Sequence, residues 1–319
     1  MSEWQVQVVR LGEVTKHPNA DTLSVTHVHG GYPVIFRTGE FQPGDLAVYV
    51  PVDSIVPKDD PRWTFLGEHR RIRAKRLRGT FSMGLLTAAP ENVQEGEILH
   101  ERLHITKYEP LESFVMSGEN EHCPFFLPIY TDVEGLRKWE SVLQLGEQVV
   151  ITEKIHGANA RFVFAQDRLW VGSHRGIKKE NAANLWWRIA TQYHLAERLV
   201  TVPNIVLYGE VYGQVQDLKY GVNGIALAFF DAMDLTSNRY YDHADFETLL
   251  MRLDLPGVPV LYRGPWSLDA HTHAEGQSIL APHVREGFVV RPVIERFDER
   301  IGRVILKLIG QGYHLRKEG

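Results

Sequence analysis

The chain has 319 residues, 44% of them hydrophobic and 24% charged, with a formal net charge of −5. That length suits two domains with cores of their own, and the acidic balance excludes a uniformly basic nucleic-acid coat. Cys123 is the only cysteine, which excludes an internal disulfide and agrees with a reducing compartment. No apolar run approaches the ~20 residues of a membrane span. Met1-Ser2-Glu3-Trp4 lacks the basic-then-apolar pattern of a secretion signal. The expected location is therefore the cytoplasm, or a nucleoid or nucleus, with no membrane partner.

In chain order, short strands come first. Val6–Val9, Leu23–Val28, Tyr32–Phe36 and Leu46–Val50 are separated by Pro, Gly, Asn and Asp, a spacing that predicts a small β-barrel. Pro43-Gly44-Asp45 is a turn before the fourth strand. The segment His17-Pro18-Asn19-Ala20-Asp21-Thr22-Leu23 resembles a loop of OB-type tRNA-binding modules. Arg62, Arg70, Arg71, Arg73, Lys75, Arg76 and Arg78 then stand against Glu68 alone, a local reversal of the overall charge. Ile72, Ala74 and Leu77 alternate with these cations as in a half-buried strand, whose basic face is either solvated or a phosphate contact.

Residues 1–108 read as the first domain and 109–128, with Pro110, Pro124 and Pro128, as a linker; 129–319 read as the second domain. Its long helix is expected over 181–200, with Leu185, Ile189, Tyr193, Ala196 and Val200 on one face. Trp186 and Trp187 beside that face are expected in the core. A second helix over 243–254 uses Phe246, Leu249, Leu250 and Leu253 and stops at Pro256-Gly257. His271 and His273 form His-x-His without a cysteine and are expected to be solvated on a helical segment. No Walker A loop is present, so phosphate is not held by a P-loop.

The chemistry is concentrated in Glu153-Lys154-Ile155-His156-Gly157-Ala158-Asn159. A lysine two residues before an acidic or imidazole residue and then glycine is a nucleophile motif of enzymes that attach a nucleotide to themselves. A free lysine has a pKa of ~10.4, so neighbouring cations or a metal are expected to lower it. Further segments follow in order: Ser173-His174-Arg175-Gly176, Leu207-Tyr208-Gly209-Glu210, Phe229-Phe230-Asp231, Glu286-Gly287-Phe288-Val289-Val290-Arg291, and Leu306-Lys307-Leu308. Each polar residue lies in or beside a strand-like run. Strand ends aimed into one groove would gather Lys154, Arg175, Glu210, Glu286 and Lys307 around a ligand.

This ordered set resembles the covalent nucleotidyltransferase superfamily of ATP-dependent DNA and RNA ligases and mRNA capping enzymes. The branch it resembles most is the nick-sealing RNA ligases with an N-terminal OB domain. Gly209-Glu210-Val211-Tyr212-Gly213 followed by Gln216-Asp217-Leu218-Lys219-Tyr220-Gly221 carries that likeness. The resemblance implies an α+β fold: an N-terminal OB-type β-barrel, then a ligase-type nucleotidyltransferase domain of antiparallel sheets and helices. It implies sealing of 3′-OH/5′-phosphate nicks in duplex nucleic acid, with RNA at the 3′-OH end, by a monomer. It implies ATP and Mg²⁺ or Mn²⁺ as cofactors, with Glu210 and Glu286 contacting ribose or metal-bound water. Lys154 would be the nucleophile, and Lys307 would bind the α-phosphate. Glu153, Ile155 and Asn159 would line the nucleotide, and Arg175 would hold phosphate or sugar. Phe230 would stack on adenine, with Phe229 competing for that place. Arg71, Arg73, Lys75, Arg76 and His156 would contact nucleic acid. Two departures stand out. The last motif usually has two lysines separated by one residue, but Ile305 and Ile309 flank Lys307, which leaves Arg303, Arg316 or Lys317 as substitutes. His156 also replaces an aspartate found in DNA ligases. Capping enzymes and most DNA ligases carry a C-terminal OB domain, for which the twelve residues after Lys307 give no room. The alternatives are a DNA ligase or a non-catalytic RNA-binding protein on a ligase scaffold.

Overall fold

The structure, a computed structural model, describes residues 4–29, 31–108 and 119–316. The expected linker falls partly outside these residues, over 109–118 with Pro110, as does Lys317. Two compact units form. One is built on residues 4–108, with Gly135–Glu140 and His314–Arg316; the other on residues 119–134 and Ser141–Tyr313. Among the described residues no helix is long and apolar enough to cross a membrane.

In the first unit, strands Gln7–Arg10, Leu46–Val50 and Leu85–Ala88 pair in the order first, second, third. A second antiparallel sheet joins Val14–Lys16, Leu23–Val28 and Tyr32–Arg37. The Leu46–Val50 strand is apolar throughout because both faces are covered. Val48 and Val50 pack with Val8, Trp63, Ile72 and Leu99, whereas Ala47 and Tyr49 pack with Val9, Val34 and Phe36. The basic segment is less regular than its alternation predicts. Only Lys75–Leu77 pairs as a strand, against Thr80–Ser82. Ile72 and Ala74 are buried, but Leu77 is 37% exposed. Arg71 is tied down: its Nη2 lies 2.8 Å from Asp53 Oδ1 and its guanidinium sits 3.6 Å from the centre of the Tyr108 ring.

Two large antiparallel sheets form the body of the second unit. One runs Leu306–Ile309, Gly287–Pro292, Gln148–Lys154, Val260–Pro265; the other runs Arg168–Ser173, Ala158–Ala165, Ile205–Gly213, Ile225–Asp234, Arg239–Tyr240. Residues 155–157 are the crossing from one sheet to the other. Gly157 is required there, since a Cβ would meet the Val211 carbonyl oxygen at 2.2 Å. Strand alternation sends Ala158, Ala160 and Phe162 to a face covered by helices, where they meet Trp186, Ile189, Leu195 and Phe246. Asn159 points to the other face.

The helix expected over 181–200 is two helices, Leu185–Gln192 and Leu195–Leu199. Asn184 caps the first, its Oδ1 accepting from the Trp186 and Trp187 amides. His194 then takes a left-handed conformation, φ 50°, and the chain turns so that Leu195 and Leu199 are buried. Val200, assigned to the buried face by periodicity, is 48% exposed. Trp186 and Trp187 are core residues, donating to the carbonyls of Asn159 and Lys178. The other helix, His243–Leu253, ends at Asp254 with φ 50°. His271 and His273 lie on the 3₁₀ turn Leu268–Ala274 and are not solvated as expected. Each is half-buried against an aromatic ring, His273 stacked on Tyr262 and His271 beside Trp266.

Candidate active site

A cavity of about 370 Å³ opens between the two sheets of the second unit. The Gln148–Lys154 and Leu306–Ile309 strands contribute Lys154 and Lys307; the facing sheet contributes Asn159, Glu210 and Phe230. Sheet register explains the gathering: Asn159 pairs directly with Glu210, and Lys307 with Val289, which also lines the cavity. Glu153 and Ile155, on either side of the lysine, complete that wall.

Lys154 Nζ lies 2.7 Å from Glu286 Oε1. Burial pulls the lysine pKa down, but the Glu286 and Glu210 carboxylates outweigh it and hold the amine above its ordinary value. The charges acting on the amine are these carboxylates, where the sequence reading expects cations or a metal. The same crowding acts on Glu210. Burial, reinforced by Glu286 and opposed by Lys154 and the Gly157 N–H, pushes its pKa up to about 8.

His156 sits in a bracket of partners. Its Nε2 is 2.7 Å from Asp217 Oδ1, its Nδ1 is 3.0 Å from the Tyr313 hydroxyl, and its backbone N–H donates to the Tyr220 hydroxyl at 2.7 Å. The Gln216 side chain also donates to the Gly157 carbonyl. The 216–220 segment thus braces the crossing that carries the nucleophile motif. Asp217 and Tyr220 fall in a motif that the sequence carried without indicating their partner. Tyr313 gave no local signal, being 157 residues away in the chain.

Phe229 is fully buried against Phe162, while Phe230 lines the cavity with Tyr130 4.8 Å away, edge-on. Arg175 does not line the cavity. It is exposed on the turn after the Arg168–Ser173 strand, and His174 supplies the wall there. Arg303 cannot stand in for the second lysine. Its guanidinium is 2% exposed and bound to Asp231 and Glu295, both at 2.6 Å. Arg316 clusters with the first unit, and Lys317 lies outside the described residues.

Three acceptor atoms at this site are buried without a hydrogen-bond partner: Glu153 Oε1, Asn159 Oδ1 and Glu286 Oε2. Unmatched buried acceptors fit a ligand that brings N–H and O–H donors or a hydrated cation. Among the described residues no three His, Cys, Asp or Glu side chains converge as a metal cage.

A family profile described as RNA ligase matches residues 147–309, just over half of the chain. An OB-fold domain profile matches residues 5–89. No curated protein matches the sequence. Among solved structures, the chain is similar to Naegleria gruberi RNA ligase. A variant of that enzyme with ATP and Mn matches at TM-score 0.85 and 26% identity over 98% of each chain. The enzyme with PPi matches at TM-score 0.84, 26% identity and 98% of each chain. A further variant with AMP and Mn gives TM-score 0.84, 26% identity and the same coverage. The α+β fold read from the motifs, an OB barrel followed by a domain of antiparallel sheets, is the fold observed.

Proposed function

The chain belongs to the RNA ligase family, and from that premise we propose that it is an ATP-dependent RNA ligase sealing 3′-OH/5′-phosphate nicks in duplex nucleic acid. The observation that carries this reading is that Lys154 and Lys307 line one cavity, with unmatched buried acceptors at the same site. The similarity to an enzyme solved with ATP and Mn, and with AMP and Mn, supports ATP and a divalent cation, Mg²⁺ or Mn²⁺.

Lys154 Nζ loses its proton and attacks the α-phosphorus. A P–N bond forms, the bond to the bridging oxygen breaks, and pyrophosphate leaves. A 5′-phosphate oxygen then displaces the lysine, and the adjoining 3′-hydroxyl displaces AMP. Lys307 neutralises the α-phosphate, Phe230 stacks on the base, and Asn159 and Glu153 accept from the sugar and base. Glu210 and Glu286 would hold a hard cation, which when bound would supply charge neutralisation on the phosphates. Positioning and charge carry the rest of the barrier. In this reading residues 1–108 grip the duplex, residues 129–319 carry adenylyl transfer, and 109–128 join them in a monomer.

The test is direct. The protein is incubated with labelled ATP and Mg²⁺ or Mn²⁺, digested, and searched for an AMP adduct on Lys154. The charged protein is then offered nicks with ribose or deoxyribose at the 3′ end. No adduct under either metal would sink the enzyme reading, and preference for a deoxyribose end would make it a DNA ligase.

A further inference from the structure

The His17-Pro18-Asn19 loop has no part in nucleotide chemistry, yet it is fixed more firmly than a surface loop needs. His17 is 2% exposed. Its Nδ1 accepts from the Asn19 N–H at 3.0 Å, and its Nε2 lies 3.1 Å from the Leu77 carbonyl oxygen. A carbonyl only accepts and an amide N–H only donates, so the ring is the neutral tautomer with the proton on Nε2. The Asn19 amide donates to the Arg78 carbonyl at 3.0 Å. Two successive carbonyls of one turn are thus held by one loop.

That turn is the tip of the basic hairpin. Leu77 pairs with Thr80, leaving Arg78 and Gly79 as a two-residue connection. Both have positive φ, 45° and 90°, as a type I′ turn requires. Arginine rarely adopts that conformation, so the turn needs outside support. At its root the hairpin is anchored by Phe81, buried with Ala74 and Met83. Between the two anchors Lys75, Arg76 and Arg78 are exposed and, among the described residues, bound to no carboxylate.

We propose that His17 and Asn19 are positioning residues that lock the Arg78-Gly79 turn, so that Arg76 and Arg78 form a preset pair of cations for the phosphate backbone of the nucleic-acid substrate. This rests on the reading that the N-terminal unit grips nucleic acid. Arg78 joins the contact set, and the loop acts only through the hairpin. Preset cations lose less conformational entropy on binding than free ones.

The experiment is a double-mutant cycle on the full chain, with binding of a fluorescent nicked duplex measured against salt. R76A/R78A should weaken binding and flatten the slope of log K against log salt by about 1.8, or 0.9 per lost phosphate. N19A, an exposed position that avoids the folding risk of H17A, should weaken binding about fivefold. Its melting temperature should stay within about 2 °C of the parent. In the R76A/R78A background N19A should add nothing. If R76A/R78A leaves binding unchanged, the basic hairpin is not the grip and the underlying reading falls. If R76A/R78A weakens binding but N19A does not, the grip stands and the clamp is overturned. Equal N19A losses in both backgrounds would make Asn19 a contact in its own right and also overturn it.

Discussion

Two groups of charges in the second unit follow opposite rules. Around Asp231 every charge is matched. Arg291 and Arg303 both pair with Asp231 and with Glu295, and the Tyr130 hydroxyl donates to Asp231 at 2.7 Å. Burial alone would raise the Asp231 pKa, but the two guanidiniums hold it below its ordinary value. Around Lys154 the accounts stay open. Two carboxyl groups act on one amine, an imidazole lies 3.7 Å from one of them, Glu210 is pushed towards neutrality, and three buried acceptors lack partners. A buried network with nothing left over locks a scaffold, because removing one partner strands the others. A buried group with unused hydrogen-bonding capacity marks the place where a ligand completes the set.

The comparison breaks most sharply at Lys154. Lys154→Ala should abolish the AMP adduct, read by intact mass, while the protein still melts cooperatively. Labelling that persists in this variant would move the nucleophile elsewhere. In the parent, Glu286 and Glu210 keep the amine protonated, and only the neutral amine attacks. The rate of adduct formation should therefore climb by up to about tenfold per pH unit below the raised pKa. A rate that is flat between about pH 6 and 9 would show that a step other than deprotonation governs it.

The closed cluster should respond in stability instead. Arg303→Met strands part of the charge on Asp231 and Glu295 and should cost about 3–5 kcal/mol, measured by denaturant unfolding. Adduct formation well below the melting temperature should survive. A variant that melts with the parent but cannot label itself would put Arg303 in the reaction and erase the distinction.

Much of this was legible in the sequence, for reasons that are local. The strands Leu23–Val28 and Leu46–Val50 form over the residues predicted, since β-rich runs bounded by turn residues leave few alternatives. Lys154, Asn159, Glu210, Phe230 and Lys307 line one cavity because each sits at a fixed place on a strand whose register the hydrophobic pattern sets. What stayed hidden depends on distant partners. Arg303 and Lys307 are both cations near the last strand. Asp231, some seventy residues earlier, together with Glu295 makes one of them scaffold. The break at His194 follows from where the sheet core lies, which the helical period of the segment itself does not encode. The raised pKa of Lys154 likewise depends on Glu286, brought across by pairing of Lys154 with Gly287.

Lys307 tests the open cluster with a smaller change. Lys307→Ala should slow self-adenylation on the order of a hundredfold, the usual loss when one group that stabilises transition-state charge is removed. The melting temperature should move little, because a cavity-lining side chain packs against few neighbours. Normal self-adenylation in this variant, measured by single-turnover labelling, would leave Arg316 or Lys317 as the cation on the α-phosphate.

The finest distinction is at Glu210, and its sign can be worked out. Its pKa is pushed from an ordinary 4.5 up to about 8, by burial first and Glu286 second. The folded protein thus holds a proton that the unfolded chain gives up between those values. Stability from this group is fully present at low pH and is lost as pH rises through the window. Glutamine keeps the shape and cannot ionise. Glu210→Gln should therefore melt with the parent near pH 5 and above it near pH 9, by about 2–4 °C for each kcal/mol recovered. Lys154 is not stranded by the change, since Glu286 remains 2.7 Å from its amine. If instead the variant melts lower at every pH, Glu210 supports the fold as Asp231 does. The open cluster would then shrink to Lys154, Glu286 and Lys307.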